Sequence, residues 1–298
     1  MKCLVTGAGG FIGSALSREL AARGHTLTLL IRNKPPLVAG VDGTEMLRLE
    51  LGSEPIAADL LRGIATVYHC AGIAHQAAAE EDYKRVNHSA TLELAAAAEA
   101  AGVTKFVFLS SVKAAEPATP YGRWKWRTEQ ALAAACVDSP MAVTSVRPAL
   151  VYGPAVRGNL RTLIAAVKHH LPLPPEGGSR SLVGLSDLVA VLGLLGESRM
   201  RGYSCFEVTD GEEYSSRRLC SAIRFAMGKS AGRAWLPRAG WFVGCALLDV
   251  LRPDGGEGSY QKLFGEELYS NADICAALNW QPHYTVEQQI GDMLGEND

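Results

Sequence analysis

A serine, a tyrosine and a lysine near the middle of the chain have the types and spacing that proton transfer requires. Ser111 follows an apolar run at 106–109, which predicts a buried parallel strand ending where open α/β sheets bind ligands. Tyr121 and Lys125 are four residues apart at the start of a helical pattern, so both side chains face one way. A nearby lysine cation lowers the pKa of a phenol from about 10, so Tyr121 could exchange a proton with a substrate oxygen near neutral pH.

A glycine-rich turn near the N-terminus has the spacing of a phosphate-binding motif. An apolar strand at 2–6 runs into three glycines spaced G-x-x-G-x-x-G, and a helical pattern follows at 14–23. Strand, glycine turn and helix together form the context of a dinucleotide-binding fingerprint. The glycines let the backbone approach a pyrophosphate, and the helix N-terminus offers N–H groups and partial positive charge. The residues expected to bind the cofactor here are Gly7, Gly10, Phe11, Ile12 and Gly13.

Four segments together make the chain resemble the extended short-chain dehydrogenase/reductases, in particular the sugar-nucleotide epimerases, dehydratases and reductases. The segments are TGAGGFIG at 6–13, SS at 110–111, YGRWK at 121–125 and RPALVYGP at 147–154. The resemblance implies that Ser111, rather than Ser110, is catalytic together with Tyr121 and Lys125. It also implies that Lys125 holds the nicotinamide ribose.

The residue after the second predicted strand indicates the type of cofactor. In NAD enzymes an acidic residue about 20 positions beyond the glycines binds the ribose 2′-hydroxyl. Arg32 follows the strand at 26–31 instead, while Asp42 and Glu45 lie too far along the chain to replace that acid. Because an arginine can bind a 2′-phosphate with two hydrogen bonds, the sequence favours NADP(H) over NAD(H).

The resemblance implies further contacts to the cofactor and the substrate. Glu50 and Leu51 resemble an acidic and apolar pair near the adenine, and the loop with Ala71 and Gly72 would pass along the nicotinamide. The segment at 171–174 would lie over the nucleotide base, and cationic and amide side chains would bind the diphosphate. The expected substrate-binding residues are Ala74, His75, Asn159, Leu173, Arg180 and Lys262.

The order of elements predicts an α/β protein with a Rossmann-type doubly wound parallel sheet and a smaller C-terminal α/β substrate domain. Strands and helices alternate up to about residue 153, and Pro and Gly cluster afterwards. We therefore expect a dinucleotide-binding domain at 1–153 and a substrate domain over most of 154–298. A strand near 204–208 is expected to return to the first sheet.

Composition excludes several other classes of protein. A length of 298 residues, 48% of them hydrophobic and 20% charged, suits about two domains. The formal net charge of −2 argues against a surface that binds nucleic acid. The apolar run at 241–251 is too short to insert across a bilayer, and no signal peptide is expected. Seven cysteines without C-x-x-C pairs indicate free thiols in the cytoplasm. The adjacent histidines at 169–170 cannot easily share a metal ion, so no metal site is expected.

Two small-residue stretches bear on the oligomeric state. Residues 92–101 and 131–135 are rich in alanine. In the family that the chain resembles, the corresponding helices form a four-helix dimer interface, so a homodimer is expected. Alanine is also the best helix former, which explains the same composition without a partner.

The resemblance implies an NAD(P)-dependent oxidoreductase acting at the 4-position of a nucleotide-linked sugar, with UDP as the expected nucleotide. A 4-keto reductase or dehydrogenase with exchangeable NADP(H) is favoured by Arg32, and the alternative is a UDP-sugar 4-epimerase with tightly bound NAD. A reductase of a non-nucleotide ketone, of flavonoid or steroid type, would leave Asn159 and Arg180 without a phosphate. A non-catalytic NADP-sensing regulator is disfavoured because both Tyr121 and Lys125 are present.

Replacing Tyr121 with Phe tests the proton-transfer hypothesis, because it removes one oxygen and keeps the ring. Turnover should fall roughly 10²–10⁴-fold, the usual contribution of a positioned acid or base. Stability should barely change, because the lost hydroxyl is expected to face a wet cleft. Steady-state kinetics and thermal unfolding of both proteins measure the two effects. A folded Tyr121→Phe protein with near-full turnover would show that these residues are not the active site.

Overall fold

The computed structural model describes residues 1–32, 43–74, 78–230, 232–251 and 258–295. Eleven strands lie in this part of the chain. They are β1 (Lys2–Thr6), β2 (Thr26–Ile31), β3 (Thr44–Arg48), β4 (Thr66–His69), β5 (Lys105–Leu109), β6 (Ala142–Pro148), β7 (Leu150–Tyr152), β8 (Ser179–Gly184), β9 (Tyr203–Val208), β10 (Glu213–Tyr214) and β11 (Glu266–Glu267).

The helices of the same residues are α1 (Phe11–Ala22), α2 (Glu80–Asp82), α3 (Ala90–Ala100), α4 (Pro120–Ala135), α5 (Asn159–Lys168), α6 (Leu185–Glu197), α7 (Ser216–Ala226), α8 (Arg238–Leu251), α9 (Ser259–Phe264), α10 (Ala272–Leu278) and α11 (Val286–Gly295). A π-helical stretch at Tyr83–Ser89 joins α2 to α3, and 3₁₀ turns cover Ala58–Leu61 and Val112–Ala114. Within the described ranges, no helix has both the length and the hydropathy needed to cross a membrane.

Seven of the strands form one parallel sheet in the order β3-β2-β1-β4-β5-β6-β9. From β3 to β6 this is the strand order of doubly wound nucleotide-binding sheets. The order reverses between β1 and β4, so the carboxyl ends of these two strands flank the crevice where such folds bind ligands. The predicted Rossmann-type α/β class is confirmed.

The chain divides into two compact units. The first unit contains the described residues of Met1–Pro148, Ser186–Val208 and Asn271–Gln281, and the second unit contains those of Ala149–Leu185, Thr209–Ser270 and Pro282–Asp298. The seven-stranded sheet lies in the first unit, and a smaller mixed sheet of β7, β8, β10 and β11 lies in the second. Assignment of separate functions to residues 1–153 and 154–298 stays a prediction.

The central strands of the first unit are buried on both faces. Leu4 on β1, Val67 on β4 and Phe106 on β5 have no exposed surface, and Leu94 and Ala98 of α3 pack in the same cluster. A parallel sheet covered by helices on both sides needs such continuous apolar strands. Each fully buried leucine or phenylalanine contributes about 1.5–3 kcal/mol by leaving water.

An ion pair with a buried carboxylate fixes α4 against this sheet. Arg147 of β6 donates two hydrogen bonds to Glu129 of α4, with Nη2–Oε2 at 2.6 Å and Nε–Oε1 at 3.0 Å. Ser110, directly after β5, donates its hydroxyl to Oε1 of the same carboxylate at 2.5 Å. Glu129 is fully buried, so its charge depends on these partners for compensation.

Arg147→Met should therefore destabilise the protein strongly, because it leaves the buried carboxylate of Glu129 without its cation. We expect a loss of about 3–5 kcal/mol in the free energy of unfolding, measured by urea denaturation. The double variant Arg147→Met/Glu129→Gln should regain part of this loss, because the buried group is then neutral. A loss under about 1 kcal/mol for Arg147→Met, typical of an exposed pair, would contradict this account.

Candidate active site

The glycine turn between β1 and α1 leaves a backbone surface without side chains. Gly7 has φ +67°, and a Cβ there would lie 2.8 Å from the Ala71 nitrogen. A Cβ on Gly13 would lie 2.8 Å from the carbonyl carbon of Gly7, so both positions require glycine. The Gly10 N–H donates to the Gly7 carbonyl at 2.8 Å, and no side chain caps α1. The turn and the helix N-terminus therefore suit a pyrophosphate.

The loop that follows β4 lies directly against this turn. The Ala71 N–H donates to Thr6 Oγ1 at 3.2 Å, which links the ends of β1 and β4. Asn87 clamps the loop further along, since its Oδ1 accepts from Ile73 N–H at 2.8 Å and its Nδ2 donates to Ile73 O at 2.9 Å. Gly72 is exposed between these anchors. The structure thus brings the predicted residues Ala71 and Gly72 to the same end of the sheet as Gly7.

His69, at the end of β4, is a buried part of this arrangement that the sequence did not reveal. Its Nδ1 lies 2.8 Å from Thr6 Oγ1 and its Nε2 lies 2.9 Å from Thr91 Oγ1. Burial, assisted by the positive charge of Lys125, lowers the pKa of His69 to about 3. The imidazole is therefore neutral at physiological pH and acts as a hydrogen-bonded link between strand and helix.

The three predicted catalytic residues sit at the carboxyl end of β5 and at the start of α4. Ser111 caps the following 3₁₀ turn, where its Oγ accepts from Lys113 N–H at 3.2 Å. Thr119 caps α4 through Gly122 N–H at 3.1 Å, and this fixes Tyr121 in the first turn of the helix. A side-chain hydrogen bond joins Tyr121 to Ser111. The serine and tyrosine thus present their hydroxyl groups to one point.

Lys125, one turn after Tyr121, is buried and held by the sheet. Its Nζ donates to the carbonyl oxygen of Leu109 at 2.7 Å and lies 4.4 Å from the centre of the Phe108 ring. Burial lowers the pKa of Lys125 to about 8, although the negative charge of Glu129 opposes this shift. A Cβ on Gly72 would lie 3.5 Å from Nζ, so the ammonium group is close to the loop after β4.

The expected electrostatic effect on the tyrosine is wrong for this structure. Burial raises the pKa of Tyr121 to about 12, the hydrogen bond with Ser111 opposes this rise, and Tyr83 adds to it. The Tyr83 ring lies 6.2 Å from the Tyr121 ring. Desolvation of the phenolate is the largest cause of the shift, and the positive charge of Lys125 is not among its causes.

Ser110 and Ser111 have different environments. The hydroxyl of Ser110 is buried and bound to Glu129, whereas Ser111 is half-buried and bonded to Tyr121. This difference supports Ser111 as the reactive serine, and that assignment stays a prediction.

The expected ribose and adenine residues lie near the ends of β2 and β3. Arg32 and Glu50 are exposed, with Nη1 and Oε1 3.8 Å apart, while Leu51 is buried. A carboxylate beside Arg32 repels a 2′-phosphate and accepts a hydrogen bond from a 2′-hydroxyl. This pairing weakens the sequence-based argument for NADP(H).

The remaining substrate residues lie in different parts of the chain. Asn159 is exposed at the first position of α5, and Arg180 is buried on β8 with Nη2 3.4 Å from Gln261 O. Lys262 follows Gln261 in α9. The side chain of Leu173 is buried in the core of the second unit. In the first unit, Ala74 is exposed, and His75 lies outside the described residues.

Comparison with known proteins assigns the chain to a family. The model of the NAD dependent epimerase/dehydratase family matches residues 3–198. The chain belongs to this family. UDP-glucose 4-epimerase of Vibrio cholerae is 28% identical over 96% of this chain and 92% of the relative. The 2-alkyl-3-oxoalkanoate reductase of Stenotrophomonas maltophilia (strain K279a) is 27% identical over 97% of both chains.

A solved structure of similar fold carries both a cofactor and a sugar nucleotide. MoeE5 in complex with UDP-glucuronic acid and NAD is 25% identical, with a TM-score of 0.78 over 98% of this chain and 97% of MoeE5. The family assignment confirms the resemblance seen in the sequence.

Sequence reasoning missed the polar residues that support the site. His69, Glu129 and Arg147 are fixed by partners at least 18 positions away in sequence. The sequence offers only a weak signal for them. His69 and Arg147 are polar residues in otherwise apolar strands, and Glu129 is a polar residue on a helix face. Among the described residues, no group of three or more His, Cys, Asp or Glu side chains could hold a metal ion.

The Ser111–Tyr121 hydrogen bond makes the pH dependence of activity a test of the site. Ser111→Ala removes the interaction that lowers the Tyr121 pKa, so that pKa should rise further. Each unit of rise reduces the phenolate fraction at neutral pH about tenfold, so turnover should fall there and recover towards alkaline pH. The profile of turnover against pH should therefore shift towards alkaline pH in Ser111→Ala. The control variant, Ser110→Ala, should keep the wild-type profile. Superimposable profiles for Ser111→Ala and wild type would contradict the assignment.

Proposed function

We propose that this protein is a 4-epimerase of a UDP-linked sugar that uses a nicotinamide cofactor. The observation that carries the proposal is the hydrogen-bonded pair Ser111 and Tyr121, with Lys125, at the sheet edge that also holds the uncapped glycine turn. The similarity to the Vibrio cholerae UDP-glucose 4-epimerase and to MoeE5 with its UDP-sugar supports the choice of substrate class.

In the proposed reaction, Tyr121 in its phenolate form takes the proton of the sugar 4-hydroxyl while Ser111 holds the same oxygen. The C4–H bond breaks with its electron pair, and a ketone forms at C4. A nicotinamide bound at the glycine turn and Lys125 would supply a reversible acceptor for this hydride, so that the hydride can return to the carbon. The 4-keto sugar then rotates, so that the hydride returns to the opposite face of C4. Tyr121 gives the proton back to the oxygen, and the hydroxyl has the opposite configuration. No net oxidation or reduction remains.

Lys125 has a second part in this proposal. Its ammonium group lies near Gly72 and bonds to the Leu109 carbonyl, a position from which it would hold the nicotinamide ribose. A cofactor phosphate or a phenolate nearby would raise its pKa from about 8 and keep it charged.

Residues of the second unit are proposed to bind the nucleotide part of the substrate. The Arg180 guanidinium lies beside the backbone of Gln261, the residue before Lys262, so two cations occur on neighbouring elements. We propose that both neutralise the diphosphate and that Asn159 donates a hydrogen bond to it. Because the Leu173 side chain is in the core, contact with the base would come from the backbone of residues 171–174.

A second candidate is a 4-keto reductase that uses exchangeable NADP(H). Arg32 favours it, because this residue occupies the usual position of the acid in NAD enzymes. The 3.8 Å pairing of Arg32 with Glu50, and the NAD bound to MoeE5, instead support the choice of NAD. A reductase of a non-nucleotide ketone is a further candidate, supported by the full-length similarity to 2-alkyl-3-oxoalkanoate reductase.

Cofactor release and product analysis distinguish these functions. We expect denatured protein to release NAD, detected by mass spectrometry, and the native protein to convert UDP-glucose, UDP-N-acetylglucosamine or UDP-glucuronic acid to the 4-epimer, detected by NMR. Asn159→Ala/Arg180→Met should weaken UDP binding without changing cofactor content. Net oxidation of NADPH with a 4-keto sugar nucleotide would overturn the epimerase in favour of the reductase. Thermal stabilisation by a lipophilic ketone but not by UDP would reject sugar nucleotides.

We also propose that the enzyme is a cytoplasmic homodimer. Helices α3 and α4 contact each other, and small residues of both are exposed, including Ala96 and Ala134. All seven cysteines are free thiols, which suits a reducing compartment.

A further inference from the structure

Helix α8 in the second unit is apolar on its exposed side. Its other side is packed: Trp241 and Cys245 are buried, and Asp249 accepts hydrogen bonds from Ser259 of α9. Six large apolar side chains of α8 are 52–77% exposed, and we call them the α8 apolar face. They are Phe242, Val243, Leu247, Leu248, Val250 and Leu251.

The α8 apolar face is unusual for a helix on a protein surface. Val243, Leu247 and Leu251 follow each other at intervals of four residues, so they form one continuous stripe about 12 Å long on the helix. A surface helix normally presents charged residues on this side, and a helix that is apolar all round is normally covered. Trp235, 72% exposed, precedes the helix by three positions. An apolar partner is therefore required.

The charge of the surrounding segment indicates which partner. Residues 214–248 contain six Arg and Lys residues and no Asp or Glu, although the whole chain has a net charge of −2. Ion pairs with Glu176, Glu212 and Glu287 compensate Arg217 and Arg218. The other four basic residues, which we call the basic set, are Arg224, Lys229, Arg233 and Arg238.

Two members of the basic set are bonded to neutral carbonyl groups. Arg224 donates to the Ser230 carbonyl and Arg238 donates to the Glu176 carbonyl, and neither bond brings a compensating negative charge. Arg233 is exposed two positions before Trp235, and Arg238 is the first residue of α8. Apolar and aromatic side chains thus occur next to cationic ones along a single stretch of chain.

We propose that the α8 apolar face and the basic set bind the surface of a membrane that contains anionic phospholipid. Tryptophan, phenylalanine and leucine enter the boundary between headgroups and acyl chains, while arginine and lysine attract the lipid phosphates. The helix has 14 residues and lies in the interface without crossing the bilayer. A second copy of the chain fits less well, because a two-fold contact through α8 would bring two basic segments together.

Vesicle co-sedimentation tests the proposal with the whole protein. We expect binding to vesicles of phosphatidylcholine mixed with phosphatidylglycerol, little binding to phosphatidylcholine alone, and release at high salt. Absence of binding to the mixed vesicles would overturn the proposal, and so would equal binding to both kinds of vesicle.

Two variants separate the apolar and the cationic contributions. Val243→Gln/Leu247→Gln/Leu251→Gln should reduce binding to the mixed vesicles at least tenfold, and Lys229→Glu/Arg233→Glu should do the same. The matched controls are Val137→Gln, 78% exposed in the first unit, and Arg201→Glu, also exposed. Both controls should bind like wild type.

Two measurements keep the outcome unambiguous. Circular dichroism and bound cofactor show that each variant is folded, and analytical ultracentrifugation gives its oligomeric state. If the triple variant turns a dimer into a monomer and vesicle binding is unchanged, a second copy covers α8 and the proposal is wrong. The test needs no catalytic activity, so its result does not depend on the proposed epimerase.

Discussion

The position of α4 against β5 and β6 is the constraint on which the candidate site depends. Two residues one helical turn apart, Lys125 and Glu129, bind the sheet through the Leu109 carbonyl, Ser110 and Arg147. The Glu129 and Lys125 side chains are buried, so the helix cannot rotate or slide without leaving a buried charge without its partners. Tyr121, one turn earlier in the same helix, is thereby fixed beside Ser111. The position of Tyr121 thus depends in part on Glu129 and Arg147, which are not among the predicted catalytic residues.

The same burial that fixes the site also controls its protonation. Removal from water disfavours charge, so it raises the pKa of Tyr121 to about 12 and lowers that of Lys125 to about 8. Both shifts favour the uncharged forms of the side chains. Ser111 is the local group that opposes the shift of the tyrosine, since its hydrogen bond stabilises the phenolate. Among the causes of the Tyr121 pKa shift, the hydrogen bond with Ser111 is the one that favours the charged form.

The second unit combines two kinds of surface chemistry. Arg180 and Lys262 are cations on β8 and α9, where a diphosphate could be held. On α8 the exposed side chains are apolar instead, although α8 packs against α9 through Trp241 and Phe264. The cations proposed for the diphosphate and the α8 apolar face therefore lie on different elements of the second unit.

The sequence by itself determined the sheet, the glycine turn and the identities of Ser111, Tyr121 and Lys125 as candidates. These depend on short-range patterns: buried parallel strands are continuous apolar runs, a phosphate turn needs glycines at fixed intervals, and residues four apart share a helix face. Only the tertiary structure decided the sign of the Tyr121 pKa shift, the pairing of Arg32 with Glu50, and the buried network of Glu129. Each of these depends on partners distant in sequence and on the water that folding removes, and no local pattern records either.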